Sequence, residues 1–174
     1  MNKKIIGVVA CSAVAASMAI GASASDELIK VGYAQVGHES DWRTANTQNY
    51  QDVFSEANGY ELSFVDCDND NAAQIEAVRN FINQELDYIV IAPIQSAGWD
   101  TVLQEAQDAG IPVIIADREI EASDDLYDAW VGTNTTNEGI TAGNWLAENL
   151  DGKEANILVI EGSVGASAAL GRSD

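Results

Sequence analysis

Three arginines stand at the ends of predicted strands or in the turns beyond them. They are Arg43 in Ser40-Asp41-Trp42-Arg43, Arg118 in Ala116-Asp117-Arg118 and Arg172 in Ala169-Leu170-Gly171-Arg172. With only 8 Lys and Arg against 28 Asp and Glu, cations placed at loop tips call for a partner. Arginine presents five donors in a rigid fork and does not titrate in proteins. An aspartate directly before it adds acceptors beside that fork, a combination suited to vicinal hydroxyls, which both donate and accept. Trp42 offers a ring face for the apolar C–H side of a sugar. Each residue also has a plainer reading. Asp117-Arg118 could be a surface ion pair of little worth, and Trp42 could staple its own helix. Arg43 could be a solvated residue at a helix start, where a cation opposes the dipole. Strand-end placement favours the ligand reading for Asp117 and Arg118, whereas Arg43 stays open between the two.

Other chemistry is sparse. His38 is the single histidine, and a lone loop histidine is more often a solvated polar group than a catalyst. Only Cys67 follows the leader, so neither a zinc site nor a Cys/His pair can be assembled. At the end of a strand, Cys67 reads as a small buried hydrophobe. Gly162-Ser163-Val164-Gly165-Ala166-Ser167 has the look of a phosphate loop but lacks the Gly-Lys-Ser/Thr ending. The G-x-S-x-G elbow is absent. Asp66, Asp68 and Asp70 alternate without the Gly and closing Glu of a calcium loop, and read as turn and cap residues. No cofactor or metal is expected. A secreted enzyme using Glu39 and Asp117 as acid and base is the alternative from another class.

These residues need a scaffold, and strand and helix signals alternate to supply one. Strands are expected at Ile29–Ala34, Glu61–Asp66, Tyr88–Ala92, Pro112–Ala116, Ala129–Gly132 and Asn156–Glu161. The first helix should run from a cap at Asp41 to about Ala57, burying Trp42, Ala45, Asn49, Val53 and Ala57 at three-to-four spacing. The second should follow a cap at Asn69, Asp70 or Asn71 and bury Ile75, Val78, Phe81 and Ile82. The third should span Trp99 to Ala109, with Gly110 ending it and Trp99 covering the sheet edge. The fourth, Asn134 to Leu150, carries Gly139 and Gly143 for close approach to a neighbour. This order predicts an α/β fold with a doubly wound parallel sheet and right-handed crossovers. In such sheets ligands bind beyond the carboxyl ends of the strands, where the polar residues cluster. The last unit stops short of a covering helix, so the chain reads as the N-terminal part of a longer protein.

Lys3 and Lys4, an apolar run to Ile20 and Ala22-Ser23-Ala24 form an export leader, residues 1–24. Cys11 after Val8-Val9-Ala10 is a weaker candidate for lipid anchoring. Cleavage after Ala24 leaves 6 basic against 28 acidic side chains, a net charge of −22. That charge repels nucleic acid and anionic headgroups, and neither is an expected partner. The destination is the periplasm or the outer face of the membrane.

The segments Val31–Arg43, Ala97–Leu103, Ile114–Arg118 and Glu161–Arg172 resemble the sugar-binding type I periplasmic binding proteins of ABC importers, the ribose- and galactofuranose-binding group. The resemblance implies a two-lobed, monomeric receptor that captures a monosaccharide and delivers it to membrane permease subunits by hinge closure. Glu39, Trp42, Arg43, Asp117 and Arg118 would contact the sugar from a first lobe spanning residues 26–133. Arg172 would reach it from a second lobe, of which residues 134–174 are the start. A sugar sensor for chemotaxis or signalling is a further alternative. A repressor of this fold is disfavoured by the leader and by the lack of a helix-turn-helix.

Overall fold

The computed structural model describes residues 27–173; the leader, with Cys11, lies outside them. The apolar runs form five parallel strands: β1 Ile29–Gln35, β2 Tyr60–Asp66, β3 Tyr88–Ile91, β4 Val113–Asp117 and β5 Ala129–Gly132, in the order β2-β1-β3-β4-β5. Strand order reverses on either side of β1, which defines the switch point of a doubly wound sheet. The helices are α1 Asp41–Val53, α2 Asn71–Asn83, α3 Asp100–Asp108, α4 Thr135–Leu150 and α5 Ser167–Ser173. No helix among the described residues is long and apolar enough to cross a membrane.

The pleat sorts side chains between two faces. Tyr33, Val90 and Ile114 lie side by side in the parallel register, and Tyr33 hydrogen-bonds α1. The alternate residues Gly32, Ile89 and Val113 face α2 and α3. Gly32 is needed there, because a Cβ would stand 2.6 Å from the Phe81 ring. Trp99, Phe81, Leu103, Ile89, Ile91 and Ile115 are fully buried on this side. Each such side chain contributes roughly 1.5–3 kcal/mol of transfer free energy. Trp99, expected to cover the sheet edge, is instead a fully buried core residue, its indole N–H donating to the Gln95 carbonyl at 2.8 Å.

Several local expectations change. Ser40, not Asp41, caps α1, its hydroxyl accepting from the Arg43 N–H at 3.2 Å. The helix ends at Val53 and a 3₁₀ turn spans Glu56–Asn58. Its buried residues are Arg43 and Thr47, with Asn46, Tyr50 and Phe54 half-buried, while Trp42 and Val53 are exposed. The inward face is thus polar at the site end and aromatic below. Apolar periodicity points to the wrong stripe because the true one begins with an arginine. Asp70 caps α2, accepting from the Ala72 and Ala73 N–H groups. That helix buries Gln74, Ala77, Val78 and Phe81, leaving Ile75 and Ile82 half-buried.

The expected sixth strand is not formed. Residues 153–162 have no ladder, and Leu158 and Ile160 are 88% and 90% exposed. A strand needs a paired neighbour to satisfy its backbone, and none of the described residues provides one. Gly139 does allow close approach: a Cβ there would stand 2.7 Å from the Arg172 carbonyl, whereas nothing lies within 4 Å of one at Gly143.

Candidate ligand-binding site

Capping by Ser40 fixes the first turn of α1 so that Arg43 points across the strand ends, where it is only 3% exposed. Its Nη2 donates to Asp117 Oδ2 at 2.8 Å and its Nε to Glu39 Oε1 at 3.2 Å. Nη1 is buried and has no partner. An unmet buried donor costs about 1–3 kcal/mol, so Nη1 is a group that an arriving oxygen acceptor would satisfy. The guanidinium carbon lies 4.8 Å from the centroid of the Trp42 ring, a cation–π distance. Trp42 itself is 58% exposed and forms the rim rather than a staple.

Asp117 ends β4 with φ +67°. The Arg118 N–H donates back to the Ala116 carbonyl at 2.9 Å, closing the three-residue γ-turn that a positive φ permits. With positive φ at its centre, such a turn is rare and strained. Gly132 pairs with Asp117 in the ladder, and a Cβ on it would stand 2.0 Å from the Asp117 carbonyl. Only glycine admits this turn.

The turn separates two neighbours expected to act as a pair. Asp117 turns to Arg43. Arg118 turns towards β3, with Nη1 3.5 Å from the carbonyls of both Pro93 and Ile94 and Nη2 3.7 Å from Glu39 Oε1. Glu39 therefore stands between the two guanidinium groups. Burial holds the Arg118 guanidinium below its ordinary range; Arg43 and, more weakly, Arg172 push the same way, while Asp117 and Glu39 oppose them. Arg172 stands apart from these contacts: its Nε donates to Glu138 Oε2 at 2.7 Å, and its side chain stays half-exposed.

Sequence reasoning missed the supports beneath the cluster. Gln35 is fully buried at the end of β1. Its Nε2 donates to Asn46 Oδ1 at 2.9 Å and to Thr47 Oγ1 at 3.2 Å, while its Oε1 accepts from the Val36 N–H at 3.0 Å. The Tyr33 hydroxyl donates to the same Asn46 oxygen at 2.7 Å, and burial pushes the Tyr33 phenol well above its ordinary range. The signal was present as polar residues at 43, 46 and 47, one helical face. Gln74, also fully buried, donates to the carbonyls of Ala34 at 3.1 Å and Ala92 at 2.7 Å and accepts from the Ile94 N–H at 2.9 Å. It ties the ends of β1 and β3 and shapes the loop whose carbonyls meet Arg118.

His38 is anchored rather than free: its Nδ1 pairs with Asp66, whose other oxygen accepts the Asp68 N–H at 3.0 Å. Asp66, Asp68 and Asp70 are turn and cap residues, as expected. Cys67 is buried, and burial, with Asp66 and Asp70 adding to it, pushes its thiol up to about 12. A groove of about 500 Å³ descends from Trp42, Asp117 and Thr133 between α1 and the sheet, becoming apolar at Tyr50, Phe54 and Ile114. Its polar upper end adjoins the arginine cluster; its lower part is an incompletely covered face of the sheet.

A switch-point sheet with converging charged and aromatic groups at its strand ends defines an α/β binding protein. The periplasmic binding protein domain model matches residues 31–174, and the chain belongs to that family. It is 41% identical to the galactofuranose-binding protein YtfQ of Escherichia coli K12 over 173 residues, covering 99% of this chain and 52% of that protein. A crystal structure of a galactofuranose-binding protein superposes with TM-score 0.77 at 42% identity, over 83% of this chain and 49% of that one. The arabinose-transporter binding protein of Shewanella sp. ANA-3, bound to L-arabinofuranose, superposes with TM-score 0.74 at 40% identity, over 83% and 47% of the two chains. The chain thus spans about half the length of the relatives it matches.

Proposed function

We propose that this protein is an exported, monomeric receptor that captures a furanose sugar and presents it to the permease subunits of an ABC importer. The carrying observation is Arg43: a buried guanidinium with one unmet donor, held by Asp117 and Glu39 beside an exposed indole face. A sugar hydroxyl accepting from Nη1 would meet that donor, and the ring would lie against Trp42. Arg118 and the free oxygens of Asp117 and Glu39 would hold neighbouring hydroxyls. Residues 26–133 form the first lobe, and residues 134–174 belong to the second, which brings Arg172. No bond is made or broken: contacts from both lobes favour the closed state over the open one. The furanose preference rests on the similar proteins named for galactofuranose and arabinofuranose. Leader cleavage after Ala24 places the receptor in the periplasm or at the outer face of the membrane.

Calorimetry of the full-length protein against galactofuranose, arabinose, ribose and glucose tests this. Saturable binding at micromolar or lower Kd, with the sugar recovered unchanged, is the expected result. Absence of binding to every sugar, or conversion of one to product, would refute the receptor.

A further inference from the structure

One contact joins residues 134–173 to the sheet domain through the loop after β3, whose Pro93 and Ile94 carbonyls meet Arg118. The Ser96 N–H donates to the Gly165 carbonyl at 2.8 Å, and among the described residues it is the only backbone hydrogen bond between the two parts. Ser96 is 4% exposed, and beside the contact Ala166 is 2% exposed. Gly165 adopts φ +78°, and a Cβ there would sit 3.6 Å from Gln95 Cγ, so the turn lies directly on the loop after β3. Ser96 is in turn gripped twice by one residue of the acidic loop after β4. Its hydroxyl donates to Glu121 Oε1 at 2.7 Å, and the Glu121 N–H donates to the Ser96 carbonyl at 2.8 Å. Holding both the side chain and the carbonyl of Ser96 fixes the frame around its Cα, and so the position from which its backbone nitrogen reaches Gly165.

We infer that Glu121 is a positioning residue for lobe closure: through Ser96 it aims a donor at Gly165 and so sets sugar affinity without touching sugar. The inference rests on the receptor reading. A contact present only when the lobes meet stabilises the closed state alone, so its loss lowers the closed population and the apparent affinity together. The change falls on release, because the latch must break before the cleft opens.

Stopped-flow binding of galactofuranose or arabinose to the full-length protein tests this, with the interlobe distance read by fluorescence transfer between two surface labels. E121A should raise Kd about three- to tenfold, the range of one net hydrogen bond, almost entirely through faster dissociation. It should also lengthen the mean interlobe distance at sub-saturating sugar. E121Q keeps an acceptor for the Ser96 hydroxyl and should restore most of the affinity. S96A, which retains the N–H but frees one restraint, should give a smaller change in the same direction and serves if E121A folds poorly. Wild-type dissociation rates in both E121A and S96A would overturn the latch while leaving the receptor intact. Equal losses in E121A and E121Q, or losses through slower association, would also overturn it. Failure of the wild-type protein to bind any sugar would instead remove the receptor reading on which the latch depends.

Discussion

Residues 29–133 and 134–173 are built to different standards. The first region encloses nearly all the buried apolar side chains, with Ile89, Ile91, Leu103 and Trp99 excluded from solvent. In the second, only Thr135 and Ala166 are buried, while Trp145, Leu158, Val159 and Ile160 stand exposed. One region therefore carries a prebuilt charged cluster on a rigid sheet. The other sets Gly165 against the loop after β3 through a turn and carries Arg172 on α5, with α4 alone as backing. On the receptor reading proposed above, rigidity on one jaw fixes the geometry of recognition. The other jaw need only bring contacts that count on closure.

The comparison breaks most readily at Arg43. Arg43→Ala leaves Asp117 and Glu39 without their shared cation, so binding in the full-length protein should fall by a factor of about 100 or more. Unfolding stability should drop by about 2–4 kcal/mol, read by calorimetry and denaturant melts. Gly132→Ala comes next: its Cβ cannot coexist with the Asp117 carbonyl, so the γ-turn must open. A loss of about 1–3 kcal/mol is expected together with weakened binding, and wild-type values of both would show that the turn is not needed. Trp42→Ala removes an exposed ring. Affinity should fall about tenfold, while the melting midpoint of the unliganded protein shifts little.

Hydrogen exchange sharpens the contrast between regions. In the 174-residue chain, amides of β3 and β4 should exchange slowly and those of 153–162 at nearly unprotected rates. Strong protection over 156–161 would show a paired strand there. The smallest effect is at Cys67. Because burial raises its thiol from 9.0 to about 12, the unfolded chain loses that proton first as pH climbs. Its contribution is present in full below pH 9 and lost progressively up to about 12. Replacing Cys67 with Ala should flatten that part of the stability–pH curve, and the wild-type thiol should resist Ellman's reagent at pH 8 until the protein unfolds.

Much of the molecule was legible in its sequence, and what was not has identifiable causes. β1 to β5 follow apolar runs bounded by Gly, Pro and Asp, and they appear within a residue or two of where periodicity puts them. Asn156–Glu161 has the same signal but no partner among the described residues, and propensity without a ladder does not make a strand. Arg43, Asp117 and Arg118 were legible as strand-end residues, yet their pairing was not. Sequence adjacency suggested Asp117 with Arg118, whereas a positive φ at Asp117 sends the two side chains apart. The inner face of α1 was misread because its site end is polar, held by Gln35 through Asn46 and Thr47 rather than by apolar packing.

Gln74 carries a consequence of its own. Its amide gives both protons to strand carbonyls and takes one from Ile94, so a flipped orientation would set its oxygen against two carbonyl oxygens. The side chain is a keyed joint that fits one way. Glutamate, its isostere, would place a carboxylate against those carbonyls, and Gln74→Glu should be worse tolerated than Gln74→Ala. Mechanically, the joint makes the ends of β1 and β3 and the first turn of α2 move as one body, and with them the Ile94 carbonyl that meets Arg118.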